Sequence, residues 1–220
     1  CFGEQEAYIN WGIEYIRYEI DKLFSVGWAY GNRSATDNQG PGIIPQEGLK
    51  HYIDEGIVYL EDFTELKEMP DIETDVLNVK STLLPKANKH RIKAYAELST
   101  VDEIKIALLT LKTPVLIGVP IFQSFFSAMV NGKVSMYDTA KEQCLGLHAM
   151  SIWGWDEDGY LISPNSWGED FGDKGWNYFP PDFVFDRIYA LTDDEVPPNP
   201  EDPKTYYRVQ VYAFKNRDYA

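Results

Sequence analysis

His148-Ala149-Met150-Ser151-Ile152-Trp153-Gly154, followed by Tyr160-Leu161-Ile162-Ser163 and then Asn165-Ser166-Trp167-Gly168, decides how this chain is read. Both flanking runs are short and apolar, and a Gly-containing turn between Gly154 and Gly159 separates them, so the pattern predicts strand, turn, strand. It carries an imidazole and a carboxamide seventeen residues apart. Taken singly, each residue has a plain structural role. His148 beside Leu147, Ala149 and Met150 reads as a satisfied core histidine, Asn165 as a turn residue and Trp167 as core. Taken together they suit a catalytic base and the polar group that fixes its ring, with Cys1 as the thiol nucleophile.

Working outward, the composition bounds what this pair can belong to. A chain of 220 residues is long enough to bury a sizeable core, as one large domain or two small lobes. Its hydrophobic fraction of 44% and charged fraction of 25% are those of a globular protein. The formal net charge of −15 argues against a nucleic-acid partner, because phosphate binding needs clustered Lys and Arg. No apolar run approaches the roughly 20 residues of a membrane span. Only Cys1 and Cys144 are present, so no disulfide framework is expected, although one bridge between them is open. Cys144 is expected to be a small buried hydrophobe.

Tyr8, Trp11, Tyr15, Ile16 and Ile20 recur at helical spacing, which places Cys1 at or near the start of a long helix. Backbone N–H groups and the positive dipole end there favour a thiolate. Residues 32–48 read as a surface loop, Leu49 to Glu55 as a short helix, and the polar, Pro-broken residues 60–96 as mostly irregular. Thr100 with Glu103 forms a capping box for a helix reaching about Leu111, and Pro114 to Phe122 reads as a strand. Helices early and strands late predict an α+β protein with two segregated parts. Residues 193–204, with four prolines and five acidic residues, read as a linker, and Tyr206 to Phe214 beyond it as a strand-like segment.

With these elements in place, the sequence closely resembles the papain-like cysteine peptidase family. The typical order there is His-Ala, a strand ending in Gly, a strand leading into Asn-Ser-Trp-Gly, then an aromatic Gly-x-x-Gly stretch. Phe171-Gly172-Asp173-Lys174-Gly175-Trp176 supplies the last part. The resemblance is specific over residues 144–180 and weaker over residues 1–60. It implies a two-lobe fold for residues 1–192, with an N-terminal helical lobe, a C-terminal antiparallel β-barrel-like lobe and the active site between them.

Matched by position, the resemblance makes Cys1 the nucleophile, His148 the general base and Asn165 the residue that orients its imidazole. Trp167 shields that hydrogen bond from water, and Gly168 allows the turn that brings the indole over the pair, at a place where a side chain would obstruct. Ala149 lines a pocket beside His148. Gly40-Pro41-Gly42 is either the Gly-rich loop that pairs with substrate backbone or simply a turn. Asp156-Glu157-Asp158 lacks the spacing of a calcium loop and reads as a solvated turn. No metal and no cofactor are implied.

Cys1-Phe2-Gly3 resembles the Cys-Val-Gly or Cys-Thr-Gly form of bacterial and phage relatives, and Leu23 to Arg33 resembles their Leu-Ser-Pro-x-x-x-Tyr-x-x-x-Arg segment. A second register stays open, in which Cys1 matches a structural Cys, Glu4 takes the catalytic position and the protein is inactive. The family's oxyanion Gln precedes its nucleophile, so this chain is expected to be a fragment or processed product of a longer polypeptide. Residues 205–220 resemble the opening of a sporulation-related repeat domain, which in its family binds peptidoglycan; an edge strand added to the peptidase sheet is the alternative.

The expected partner is therefore a protein or peptide substrate, with peptidoglycan a second partner through the C-terminal segment. The expected setting is extracellular, cell-wall-associated or virion-associated. Two other classes stay in view: an inactive papain-like module that binds peptides or serves an assembly, and a hydrolase using Cys1 as an amino-terminal nucleophile. The third has no need of the His148–Asn165 pair.

Overall fold

The computed structural model describes residues 2–18, 21–33, 42–64 and 71–192. Cys1, Gly40, the 193–204 linker and the 205–220 segment lie outside the described residues. Within them the chain forms two compact units, one reaching Ala96 and taking back Leu191 and Thr192, the other running from Glu97 to Ala190.

The first unit is helical. Its opening helix α1 (Phe2–Tyr18) buries Ala7, Ile9, Trp11 and Ile13. Gly3 lets α1 lie close on α2 (Val26–Gly31), because a Cβ there would stand 3.0 Å from the Val26 carbonyl oxygen and 3.2 Å from the Tyr30 Cβ. Ser25 caps α2 by accepting the Trp28 N–H at 3.0 Å, a bond that satisfies one orphan donor of the first turn. Helix α3 (Pro45–Asp54) starts four residues before the expected Leu49, with Pro45 where its missing N–H costs nothing.

The largest correction falls in residues 60–96. Helix α4 (Asp71–Ala87) occupies much of this stretch, followed by strand β1 (Ala94–Glu97). Ile72, Val76, Val79, Leu83 and Ala87 recur at helical spacing, and Val76, Leu83 and Ala87 are buried. Pro85 sits in the last turn, where its missing N–H removes one bond yet the helix still runs to Ala87.

The second unit carries the sheets. Thr100 and Glu103 form the expected capping box at the start of helix α5 (Val101–Leu111). Strand β2 (Val115–Ile121) follows, then a 3-10 helix (Gln123–Met129), then β3 (Gly146–Ile152). In one sheet the order runs β7-β2-β3, where β7 is Arg187–Thr192, and β2 pairs antiparallel with both neighbours. A second sheet has the order β4 (Gly154–Trp155), β5 (Leu161–Pro164), β6 (Trp176–Phe179).

Among the described residues these sheets are open, so the antiparallel lobe expected to be β-barrel-like forms no closed barrel. After Ile152 the backbone stops following β2, and the Trp153 N–H bonds to the Ile162 carbonyl at 2.9 Å, which hands the chain to the second sheet. Ile117, Val119, Met150, Ile152, Leu161 and Phe179 form the shared core, each contributing about 1.5–3 kcal/mol on burial.

Candidate active site

Strand β3 holds His148 opposite Val119 of β2. Strand alternation puts Leu147 64% exposed beside a His148 that is only 5% exposed, so the imidazole points into the unit. Asn165 follows the last residue of β5, and its backbone N–H is held by the Gly175 carbonyl at 2.8 Å. The two side chains meet: His148 Nε2 lies 2.9 Å from Asn165 Oδ1. Because an amide oxygen only accepts, Nε2 is the donor and carries the proton, and Nδ1 is the basic nitrogen of the neutral ring.

Trp167 covers this pair. Its ring stacks on the His148 imidazole with centroids 4.8 Å apart and 27° between planes. Phe126 stacks beside the indole at 6.0 Å, while Phe125 and Phe171 meet it edge-on at 5.4 and 4.9 Å. Such contacts are worth about 0.5–1.5 kcal/mol each beyond area burial. Gly168 has φ +85°, and a Cβ there would meet nothing within 4 Å. The positive φ suits the expected turn at a glycine, while the expected obstruction of a side chain is absent.

The other expected site residues are placed less directly. Cys1 and Gly40 lie outside the described residues, as does the side chain of Glu4. Gly42 is exposed at φ +108°; its N–H donates to the Tyr30 hydroxyl at 2.9 Å and its carbonyl accepts from Arg33 Nη1. Ala149 is half-buried on β3, next to His148 and opposite Gly118. Asp156, Glu157 and Asp158 form the turn between β4 and β5, where Asp156 Oδ1 accepts the Tyr160 N–H at 2.8 Å. Among the described residues no group of three or more His, Cys, Asp or Glu side chains is placed to hold a metal ion.

Cys144 corrects an expectation. It is free and exposed, its thiol donating to the Gly146 carbonyl at 3.3 Å. Its neighbours Lys141, Gln143, Leu145 and Gly146 are exposed too, because the segment leading into β3 runs over the surface.

Sequence reasoning missed three contributors. Phe125 and Phe126 come from the 3-10 helix, far from the His-Asn motif in sequence. Asn177 lies on β6, fully buried, and its Oδ1 accepts from Asn165 Nδ2 at 2.8 Å. The available signal was a lone carboxamide in the otherwise aromatic run Trp176-Asn177-Tyr178-Phe179.

A helical unit, an antiparallel β unit and a buried His–Asn pair under an indole together define the architecture of a papain-like thiol peptidase. The profile of the papain family cysteine proteases matches residues 41–182, a span containing His148, Asn165 and Trp167, and the chain belongs to this family. Solved structures agree on the two-lobe α+β fold. Xylellain, a cysteine protease from Xylella fastidiosa, is similar with a TM-score of 0.71 at 16% identity, over 89% of this chain and 80% of its own. The Carica candamarcensis cysteine protease CMS1MS2, solved in complex with E-64, gives 0.62 at 16% identity over 89% of each chain. The bromelain protease from Ananas comosus, solved with the E64 inhibitor, gives 0.60 at 16% identity over 88% of this chain and 89% of its own. No curated protein sequence matches the chain.

Proposed function

We propose that the chain hydrolyses peptide bonds by acyl transfer, with Cys1 as nucleophile, His148 as base and Asn165 as the group that orients the base. The His148 Nε2–Asn165 Oδ1 hydrogen bond carries this reading, since it leaves Nδ1 as the proton acceptor a thiol requires. Cys1 gives its proton to Nδ1, forming a thiolate–imidazolium pair. The thiolate attacks the scissile carbonyl, the imidazolium protonates the leaving amine, and water then hydrolyses the thioester. Asn165 is neutral, so it holds the ring without the charge stabilisation a carboxylate adds. Gly42 and Ala149 are proposed to contact the substrate, with Gly40.

Residues 1–192 make up the proposed peptidase domain, 193–204 a linker, and 205–220 the opening of a peptidoglycan-binding repeat. The residues Cys1-Phe2-Gly3 and the Leu23 to Arg33 stretch support a bacterial or phage protein. Its substrates on this reading are proteins or cell-wall peptides, met outside the cell, at the cell wall or on a virion.

Alkylation of Cys1 by iodoacetamide tests the central claim. The expected result is a rate above that of free cysteine, falling to the free-cysteine rate in His148→Ala. Equal rates in both proteins would overturn the peptidase reading and leave a catalytically silent papain-like module. Acetylating the Cys1 amine separates the amino-terminal nucleophile class, which alone predicts lost activity with His148→Ala intact.

A further inference from the structure

The orientation of Asn165 is a problem that Asn165 cannot solve alone. A carboxamide turned by 180° fills nearly the same space, so its neighbours decide which end faces the imidazole. With the oxygen toward His148, Nε2 carries the proton and Nδ1 is basic. With the nitrogen toward His148, Nε2 must accept, and the neutral ring carries its proton on Nδ1, where no thiol proton can then be taken.

We propose that Asn177 is the positioning residue that resolves this choice, an inference resting on the reading of His148 as the base. A directional chain of groups supports it. The Gly132 carbonyl can only accept, and Asn177 Nδ2 faces it at 3.5 Å. That leaves Asn177 Oδ1 to accept from Asn165 Nδ2 at 2.8 Å, which turns Asn165 Oδ1 toward His148 Nε2 at 2.9 Å. All three side chains are buried, with relative exposures of 0% for Asn177, 6% for Asn165 and 5% for His148, so water does not substitute freely for a missing partner.

The seat for the Asn177 amide is made by backbone. Segment 132–134 runs beside β6, with the Tyr178 N–H bonded to the Gly132 carbonyl at 2.7 Å and the Val134 N–H to the Tyr178 carbonyl at 3.0 Å. Gly132 has φ +75° and Gly172 φ +79°, and a Cβ on either would stand 2.4 Å from the Trp176 carbonyl oxygen. At Gly172 that Cβ would also lie 2.9 Å from Asn177 Nδ2. Gly172 thus clears the space in which the amide points its nitrogen at Gly132, while Gly132 lets its own segment lie close on β6.

The test reads the proton on His148 directly, in full-length protein labelled with ¹⁵N-histidine. The chain has 3 histidines, so His148→Gln assigns the signal. In Cys1→Ala, where no thiol proton reaches Nδ1, the neutral ring is expected to carry its proton on Nε2. When Asn177→Leu, which keeps bulk and removes both polar ends, is added to Cys1→Ala, a Nδ1-protonated population is expected; with Cys1 present, Asn177→Leu is expected to lower kcat about tenfold with KM little changed. Asn177→Asp is expected to restore the Nε2 tautomer, because a carboxyl oxygen still accepts from Asn165 in either protonation state. If Asn177→Leu does not fold, Asn177→Ala takes its place.

A neutral ring protonated on Nδ1 in Cys1→Ala, or unchanged tautomers when Asn177→Leu and Asn177→Ala are added to it, would overturn the proposal. The tautomer is read without turnover, so failure of the Cys1 alkylation test would remove the peptidase reading while leaving this result to stand or fall separately.

Discussion

The indole of Trp167 lies face to face with the imidazole of His148, 4.8 Å between centroids, although Trp167 itself is 39% exposed. The cover over the buried His148–Asn165 bond is therefore a partly exposed side chain, tied to its unit by Phe125, Phe126 and Phe171.

Trp167→Ala is expected to cost both catalysis and stability, since the indole stands over the pair and packs on Phe125, Phe126 and Phe171. Water admitted to the His148–Asn165 bond competes for both partners, and a tenfold fall in kcat/KM corresponds to about 1.4 kcal/mol of transition-state stabilisation. Turnover of a peptide substrate alongside a thermal melt checks this. A variant still folded at the assay temperature and with unchanged kcat/KM would assign Trp167 to packing alone.

At Gly168 the expected cost is conformational. With φ at +85° and nothing within 4 Å of a built Cβ, Gly168→Ala meets strain and no clash. A loss of about 1–2 kcal/mol in unfolding free energy is expected. Gly168→Asn, whose side chain tolerates the left-handed region, is expected to lose less. Denaturant titration of the two variants ranks them.

Gly31 presents the reverse case. A Cβ there would lie 2.6 Å from Ile72 Cγ2, 2.7 Å from Val76 Cγ2 and 2.9 Å from the Ile72 carbonyl oxygen. Gly31→Ala gains up to about 1 kcal/mol in helix propensity, yet it pushes α2 away from α4 at about 1–3 kcal/mol. Net destabilisation is expected in a chemical melt, and a stabilised variant would show that the two helices pack less closely than described.

The Glu103 carboxylate has a pKa held below its ordinary value, first by the Ser99 N–H at 2.7 Å, against desolvation by burial, and further by the Thr100 side chain and N–H. A depressed folded-state value stabilises the fold above the unfolded carboxylate value, and this contribution is lost as pH falls through the folded value. Glu103→Gln is therefore expected to melt below the wild type at neutral pH, with the gap closing in acid. Melting temperature against pH for both proteins checks the sign.

Much of this architecture was legible locally. The Thr100–Glu103 box, the helix to Leu111 and the strand-turn-strand around Gly154–Gly159 each follow from residues within a few positions of one another. Helix α4 was not, because Pro85 and the polar residues between its apolar positions hid a stripe that only the packing of Gly31 against Ile72 and Val76 makes plain. Cys144 was misplaced for a related reason: residue type predicts average burial, while the course of a loop decides the individual case.

The sequence by itself determined that this chain carries a His and an Asn on consecutive strand-like runs of an α+β protein, because periodicity, turn residues and motif spacing are local properties. Only the tertiary structure decided which atoms meet. Asn177 reaches Asn165 because antiparallel pairing sets Asn177 opposite Ser163 and Trp176 opposite Pro164, and Phe125 and Phe126 reach Trp167 from a helix some forty residues away in sequence. Those contacts depend on how strands pair and layers stack, and no short window of sequence encodes that.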